Sequence, residues 1–459
     1  TTTVDLALGN VVKFTQSANT TVSFANTGTS NIVTIIRDSG SGTLTWPSAI
    51  KWDGGSAPTL DAGSYTNDAN VITLLTRDEG VTWYGWQNVS NEGGLGLFSW
   101  GENSQGTLGL NQPAPTKYSS PVQIGSGDWK SVSIWGYNRH SAIARKTDDS
   151  LWIWGYNDYG NLGLNDRTNR SSPTQIPGTT WGSVRDGSSS GWIGTKTDGT
   201  LWTVGDNTYG QLGVNNVTHR SSPVQVGSGT DWASGMDKVA AGVNLCHAIK
   251  TDGTLWSWGS NYNGVLGQNQ APAQLPRLSS PVQVPGTTWK GISSQNYASF
   301  AVKTDGTLWS WGWNIWGVLG QNQDFSPSTR GYSSPTQIPG TNWQSVSVTG
   351  GKYATAAIKT DGTLWAWGLN GQGMLGQNDT VTRSSPIQIP GTTWSTVSSG
   401  SYHFTATKTD GTGWVWGKNS EYGTLGQNSE VNYSSPIQIP GTWSDLQAGE
   451  KMTFGTKNV

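Results

Sequence analysis

The sequence predicts an all-β protein: a seven-bladed β-propeller closed by strands from both ends of the repeat array, preceded by a small β-sandwich-like domain. Two observations lead to this prediction. A motif of the form W-G-x-N-x-x-G-x-L-G-x-N recurs about every 50 residues, the spacing of propellers and other repeat folds. Each repeat also reads as four short strands, without helical periodicity. The seven copies begin at Trp100, Trp154, Val204, Trp258, Trp311, Trp367 and Trp416.

Residues 1–90 lack the repeat and are predicted to form a separate small β domain, whereas residues 91–459 form the propeller. The small domain alternates as strands, with a hairpin loop at residues 78–80 and a short polar linker at residues 87–94. The predicted strands are Val11 to Thr15, Thr21 to Phe24, Ile32 to Arg37, Val71 to Arg77 and Val81 to Trp86.

One repeat shows how the strands are assigned. Asp305-Gly306 lies between apolar runs and predicts a tight hairpin turn, because both central residues of such a turn need positive φ. Trp309 and Trp311 are two residues apart and share one face of their strand, which we expect to pack against the next blade. The four strands are Gly291 to Ser294, Ser299 to Lys303, Leu308 to Trp311 and Pro335 to Ile338.

The two ends of the repeat array complement each other. The sequence stops just after Lys457-Asn458, where Lys-Thr-Asp and a further strand stand in the other repeats, and Gly94 to Gly101 has the pattern of that strand. We therefore expect one blade to be shared by both ends, which removes free sheet edges.

The repeat resembles the regulator of chromosome condensation repeat, whose family folds as a seven-bladed propeller. The resemblance rests on W-G-x-N-x-x-G-x-L-G, a Pro-containing strand, and a small-residue strand leading into x-x-D-G-x-L-W, from about Gly94 to Val459. That family includes a nuclear exchange factor, a plant light sensor and a secreted bacterial inhibitor of β-lactamase. The G-W-R-H-T pattern of the light sensor is absent here. The resemblance therefore implies the fold and none of these activities, because function depends on sites carried by a fold.

The small domain resembles a β domain found in bacteriophage fibre and other virion proteins. The resemblance rests on the segments LTWPSAIKW (44–52), GGSAPTL (54–60), TRD (76–78) and TWYG (82–85). It implies that this domain attaches or assembles the chain, with other virion proteins as partners.

Composition agrees with an extracellular or virion scaffold. Charged residues are only 12% of the chain and the net charge is −2, so nucleic acid is not an expected partner. No stretch approaches the ~20 apolar residues that span a membrane, so membrane insertion is not expected. Cys246 is the single cysteine and excludes a disulfide within the chain.

Catalytic and metal-binding motifs are not found in the sequence, and we predict no enzyme activity, no catalytic or metal-ligating residue and no cofactor. The Asp residues of the recurring Lys-Thr-Asp are interpreted as turn formers. Three alternatives are less favoured: a carboxylate pair of a glycosidase among these Asp residues, a metal site involving His140 and His403, and a reactive thiol at Cys246.

Departures from the repeat indicate where a ligand binds. The residue before the first Gly of the loop is aromatic in four repeats, Trp313 is unique to its repeat, and a long connection from Gln323 to Tyr332 follows it. Exposed aromatic rings stack against sugars and partner surfaces; the alternative is that they pack the loops themselves. The candidate binding residues are Tyr159, Tyr209, Trp313, Trp316, Phe325, Tyr332 and Tyr422.

These features predict a non-enzymatic structural protein of a phage virion, such as a tail fibre or a capsid or tail decoration. The propeller is displayed outward for host attachment to a surface glycan or protein, and the chain forms a homo-oligomer in the particle. The alternative is a secreted or cell-surface bacterial propeller that binds a protein or glycan.

Overall fold

The computed structural model describes residues 94–458 except 113–115, 136–140, 188–190, 296, 324–330, 345–348 and 351–352, and before residue 94 it describes the strands given below and Ser48. The hairpin loop expected at residues 78–80 lies outside the described residues. The chain divides into two compact units, Thr1–Gly93 and Gly94–Val459.

The described residues of the first unit form two sheets. The strands are β1 (Thr2–Asp5), β2 (Val11–Gln16), β3 (Thr20–Ala25), β4 (Ile32–Gly40), β5 (Leu44–Thr45), β6 (Ile50–Trp52), β7 (Asn70–Thr76) and β8 (Trp83–Asn88). One sheet is parallel, in the order β1-β3-β5. The other has the order β2-β4-β7-β8-β6 and is mixed, since β4, β7 and β8 are antiparallel whereas β2 and β6 pair in parallel at the two edges. Strands β1, β5 and β6 were not anticipated from the sequence.

The second unit is all-β apart from three short 3₁₀ turns among the described residues, Ser104–Gly106, Tyr262–Gly264 and Ile315–Gly317. The first strands are β9 (Leu95–Glu102), β10 (Lys117–Trp135), β11 (Ser141–Lys146), β12 (Leu151–Gly155) and β13 (Arg170–Ile176). Two four-stranded groups follow: β14 (Trp181–Gly187), β15 (Gly191–Lys196), β16 (Leu201–Gly205), β17 (Arg220–Gln225), then β18 (Val239–Gly242), β19 (Leu245–Ile249), β20 (Leu255–Ser260) and β21 (Arg277–Gln283).

Three more groups complete the strand list. They are β22 (Trp289–Gln295), β23 (Ala298–Lys303), β24 (Leu308–Gly312), β25 (Tyr332–Ile338), then β26 (Thr349–Gly350), β27 (Ala354–Ile358), β28 (Leu364–Gly368), β29 (Arg383–Ile389), then β30 (Trp394–Ser399), β31 (His403–Lys408), β32 (Thr412–Gly417) and β33 (Tyr433–Thr442). The last two strands are β34 (Asp445–Ala448) and β35 (Met452–Lys457). Each of the five groups from β14 to β33 forms one four-stranded sheet in chain order.

The remaining strands of the second unit join the two ends of the repeat region. They form one sheet in the order β13-β12-β11-β10-β9-β35-β34. Strand β35 is antiparallel to β9, with Phe454 opposite Ser99. The long strand β10 pairs with β9 near Gln123 and with β11 near Ser133, so one strand serves two neighbouring groups of four.

The motif tryptophans connect neighbouring sheets. Six of them are fully buried, and each indole Nε1 donates a hydrogen bond to a carbonyl oxygen in the loop of the preceding sheet. The bonds are Trp100 to Thr424 (2.8 Å), Trp154 to Thr107 (2.9 Å), Trp258 to Gln211 (2.9 Å), Trp311 to Val265 (2.8 Å), Trp367 to Val318 (2.7 Å) and Trp416 to Met374 (2.7 Å). The expectation that the face of Trp309 and Trp311 packs against the next blade is therefore wrong in direction. The Trp311 side chain packs against the preceding sheet, where it shares a core cluster with Leu255 and Val284 and donates to the Val265 carbonyl.

The Asn and Gly residues of the motif determine the conformation of its loop. In each loop the Asn side chain accepts the backbone N–H of the motif Leu, as Asn157 does from Leu162 at 2.9 Å. Gly160 has φ +73°, and a Cβ atom there would lie 2.5 Å from Cβ of Ser221 in the following sheet. Glycine is required because it allows both the positive φ and this close contact.

A second recurring set of contacts, made by Asp, Thr, Trp and Lys side chains, stabilises the turn at the opposite end of the sheets. Asp305 Oδ1 accepts hydrogen bonds from the Thr307 backbone N–H (2.9 Å) and hydroxyl (2.7 Å), and Thr307 Oγ1 accepts one from Trp309 Nε1 (2.8 Å). The Lys303 ammonium lies 4.7 and 4.3 Å from the ring centroids of Trp289 and Trp309. This geometry supports the interpretation of the repeated Asp residues as turn formers. The hydrogen bonds from Thr307 hold the pKa of Asp305 below its usual value.

Candidate functional site

The W-G-x-N loops lie at the same end of the sheets as the turns that follow the first strand of each sheet, because antiparallel strands reverse direction at every turn. We call this end the loop face. The repeated Asp turns lie at the opposite end. All candidate binding residues of the second unit that the structure describes fall on or beside the loop face.

Three aromatic rings form a continuous row on this face, which we call the aromatic strip: Tyr262, Tyr297 and Trp313. The ring centroids of Tyr262 and Tyr297 are 4.9 Å apart, and those of Tyr297 and Trp313 are 6.0 Å apart. The three rings come from three different loops of two neighbouring sheets. Tyr262 is 54% exposed, and Tyr297 and Trp313 are partly exposed. The backbone N–H of Trp313 donates to the Tyr297 carbonyl at 2.7 Å, which fixes the two loops relative to each other.

Another aromatic group lies farther along the loop face, at Tyr353, Tyr402 and Tyr422. The Tyr353 and Tyr402 centroids are 5.7 Å apart. The Lys418 ammonium lies 5.6 Å from the Tyr402 ring and 5.7 Å from the Tyr422 ring, and Lys451 lies 4.9 Å from Tyr422. Burial, together with the hydrogen bond to Glu421, raises the pKa of the Tyr422 hydroxyl. Tyr422 is thus held in a local network.

The other predicted residues are scattered. The Tyr159 ring packs edge-on against His219 at 6.2 Å, which agrees with the alternative of loop packing. Tyr209 and Trp316 are 42% and 39% exposed, in different loops. Tyr332 begins β25 and is partly buried against the core. Phe325 lies outside the described residues.

Tyr262 and Tyr297 were not among the residues named from the sequence. A signal was present for each. Tyr262 is the only aromatic residue at its position in the seven loops, and Tyr297, Tyr353 and Tyr402 stand in equivalent turns of three successive repeats. Their contact joins two sheets, so the sequence alone does not pair them.

The less favoured chemical sites find no support in the described geometry. His403 is buried with Nε2 2.9 Å from Thr453 Oγ1, and burial lowers its pKa to about 3. Burial raises the pKa of the Cys246 thiol to about 12, far from a reactive thiolate. His140 lies outside the described residues. Within the described part of the chain, no cluster of three or more His, Cys, Asp or Glu side chains is placed to hold a metal ion. The same residues include no helix long and apolar enough to cross a membrane.

The buried Trp, the Asn-locked loop and the Asp turn recur through the second unit. Residues 96–455 match the model of the RCC1-like domain. The chain belongs to the RCC1-like domain family. The regulator of chromosome condensation resemblance of the repeats is thereby confirmed, and the all-β architecture of small sheets is consistent with an RCC1-type β-propeller.

Curated relatives of this RCC1-like chain are distant. It is 26% identical over 296 residues to the ultraviolet-B receptor UVR8 of Arabidopsis thaliana, covering 63% of this chain and 52% of the receptor. It is 26% identical over 305 residues to the human E3 ubiquitin-protein ligase HERC2, covering 66% of this chain and 5% of the ligase. The match thus spans about half of the receptor and a small fraction of the ligase, so neither whole protein's activity follows for this chain.

A solved structure supports the fold of the RCC1-like domain. Prp20p of Saccharomyces cerevisiae, described with its binding to Gsp1p and histones, superposes with a TM-score of 0.68 at 18% identity. The match covers 80% of this chain and 92% of Prp20p. At this identity the likeness shows the fold alone.

Proposed function

We propose that this chain is a non-enzymatic binding protein whose loop face carries the recognition surface. The observation that carries the proposal is the aromatic strip, in which Tyr262, Tyr297 and Trp313 are in ring contact and remain open to solvent. Aromatic faces gain affinity by stacking on sugar rings or on apolar partner groups, without an acid–base pair. Held by rigid sheets, the strip loses little conformational freedom on binding.

We further propose that the sheets of the second unit form a closed ring of seven blades. The five four-stranded sheets supply five blades. The long strand β10 contributes its second half to a sixth blade with β11, β12 and β13, and its first half to a seventh with β9, β35 and β34. The Trp100 to Thr424 hydrogen bond supports this closure, because it repeats the bond found between the other sheets.

The proposed setting is a phage virion. The resemblance of residues 1–90 to virion modules favours a β-sandwich-like attachment domain that binds other virion proteins and drives homo-oligomerisation in the particle. The propeller is then displayed outward for host attachment. A secreted or cell-surface bacterial propeller remains the second candidate. The neighbouring genes discriminate the two: capsid and tail genes favour the virion, whereas a secretion operon contradicts it.

The recognition surface is tested by substitution on the loop face. Trp313→Ala combined with Trp316→Ala, and separately Tyr262→Ala, are assayed on an array of bacterial surface polysaccharides and on intact bacterial cells. The control is Val431→Ala, an exposed apolar residue that is neither part of the strip nor a candidate binding residue. We expect the Trp313/Trp316 double variant and the Tyr262 variant to lose about 1–3 kcal/mol of binding free energy while the control binds normally. Normal binding by the double variant and by the Tyr262 variant, with melting temperatures unchanged, contradicts the proposal.

A further inference from the structure

A cavity lined by both polar and apolar side chains lies where the first strands of successive sheets converge. Its volume is about 300 Å³, at the lower end of the range for small-molecule sites. Strands β10, β14, β18, β22, β30 and β34 contribute to its wall. Much of that wall is hydroxyl-bearing, because small Ser and Thr side chains face inward where the strands approach one another. The cavity is separate from the aromatic strip, none of whose residues line it.

Two opposite charges face this cavity, Arg185 from β14 and Asp445 from β34. Arg185 Nε donates to the Met236 carbonyl at 2.8 Å, and the rest of its guanidinium has no hydrogen bond among the described residues. Asp445 accepts hydrogen bonds from the Leu446 backbone N–H (2.9 Å) and from Gln447 Nε2 (2.8 Å). The charges of Arg185 and Asp445 attract each other electrostatically, but the two side chains do not form a direct ion pair.

The other acidic groups nearby are already engaged. Asp186 Oδ2 accepts a hydrogen bond from the Ser141 hydroxyl at 2.9 Å, and Asp237 forms an ion pair with Lys238 at 2.7 Å. Burial lowers the pKa of Arg185 and raises that of Asp445, so each charged form is poorly solvated. Partly buried charges without a direct ionic partner are costly, which makes them candidates for ligand contacts. Ser399 adds a buried hydroxyl on the same wall, and no partner is found for it among the described residues.

We propose that this cavity binds a small zwitterion, with its carboxylate on Arg185 and its ammonium group on Asp445. Arg185 and Asp445 face the cavity without touching each other, so a molecule carrying both charges can pair with each. The second carboxylate of the lining, Asp186, accepts a hydrogen bond from Ser141. A simple anion would pair with Arg185 but leave Asp445 without an ionic partner. A simple cation would pair with Asp445 but leave Arg185 without one. The planar guanidinium suits a carboxylate because it can donate two parallel hydrogen bonds. The surrounding hydroxyls can bind the remaining polar atoms.

The test uses the full chain and a length series of ω-amino acids: glycine, β-alanine, 4-aminobutyrate and 6-aminohexanoate. Binding is measured by saturation-transfer NMR and calorimetry, with butanoate and butylamine as probes that carry only one of the two charges. We expect one length to bind best and to bind at least about tenfold tighter than either single-charge probe. Equal binding of butanoate, butylamine and the best zwitterion overturns the proposal, as does the failure of every zwitterion to bind.

Two variants locate the site. Arg185→Gln and Asp445→Asn keep similar shapes and should each weaken the best zwitterion about tenfold or more. The matched controls are Arg277→Gln at the exposed start of β21 and Asp158→Asn on an exposed loop, and both should bind as the unaltered chain does. Full affinity in both cavity variants overturns the proposal. If either variant fails to fold, a crystal of the unaltered chain soaked with the best probe decides, because density bridging Arg185 and Asp445 is required.

Discussion

Trp192 lies opposite Val204 across the β15–β16 ladder and provides the indole that the motif position lacks in this one sheet. Trp192 is buried and packs edge-on against Trp181, with centroids 5.2 Å apart. A Cβ atom on Gly163 of the preceding loop would meet Trp192 at 3.4 Å, whereas the equivalent glycines meet the motif tryptophan. The indole volume is thus conserved between sheets although it comes from the neighbouring strand. Its Nε1 finds no hydrogen-bond partner among the described residues.

This exchange predicts a rescue experiment. Trp192→Ala should lower the free energy of unfolding by about 3–5 kcal/mol, because it leaves a cavity between two sheets. Val204→Trp alone should overpack the site and cost about 1–3 kcal/mol. The two substitutions together should recover much of the loss, since they rebuild the arrangement of the other six copies of the motif. Urea unfolding measures all three, and additive losses in the double variant would contradict the shared-volume interpretation.

The Lys–Trp contact predicts a charge-specific loss of stability. Lys303→Met keeps the apolar stem over Trp289 and Trp309 but removes the ammonium group. We expect a loss of about 0.5–1 kcal/mol in the free energy of unfolding. Lys290→Met, at an exposed position, is the control and should be close to neutral. Thermal and urea unfolding of the two variants provide the measurement; equal stability of both would show that the stem alone matters.

The pairing of β9 with both β35 and β10 predicts that the first repeat strand is essential for the ring. Deleting Leu95 to Trp100 removes both ladders and the Trp100 to Thr424 bond. The deletion should expose two sheet edges, lower the melting temperature and promote aggregation. Calorimetry and light scattering of the deleted chain test this. A melting curve like that of the full chain would rule out closure through β9.

Assembly through the first unit is a separate prediction. The fragment Gly94–Val459 should be monomeric in solution, because the pairing of β35 with β9 already joins the two ends of its repeat region. The fragment Thr1–Gly93, or the full chain, should self-associate. Multi-angle light scattering of the three samples at matched concentrations decides, and a propeller fragment that oligomerises alone would count against the assignment.

Acid should destabilise the fold through its buried histidines. Burial lowers the pKa of His403 and of His247 to about 3 from an ordinary value of 6.5. Below pH 6.5 the unfolded state binds protons that the folded state excludes until about pH 3, so the free energy of unfolding falls as pH falls through this window. His403→Gln should make the decline between pH 7 and pH 4 shallower, measured by urea titration at each pH. His219→Gln, at a more exposed site, is the control; equal slopes in both variants would exclude His403 as a cause.

Local patterns accounted for most of the fold. The bounds of β22 to β25 lie close to those predicted from the alternation around Asp305-Gly306, because hairpins depend on neighbouring residues. The turn itself differs from the prediction, since Gly306 has positive φ (+77°) and Asp305 does not. The candidate site was harder to predict. Trp313 was recognised as a departure from its repeat, but its contact with Tyr297 and that ring's contact with Tyr262 depend on how two sheets pack. The placement of Arg185 and Asp445 at the same cavity likewise depends on how strands that are distant in sequence come together.

Strands β35 and β9 pair in an antiparallel ladder of the same kind as the ladders within the other sheets of the second unit. Lys457 lies opposite Gly96 in that ladder, so a short linker could join the strands covalently without crossing the sheet. New chain ends could then be opened at an exposed loop such as that around Val381. A circular permutant built in this way should keep the same strand ladders, because the new covalent connection joins two strands that are already paired. The position of the chain ends in the gene is therefore separable from the arrangement of the sheets in space.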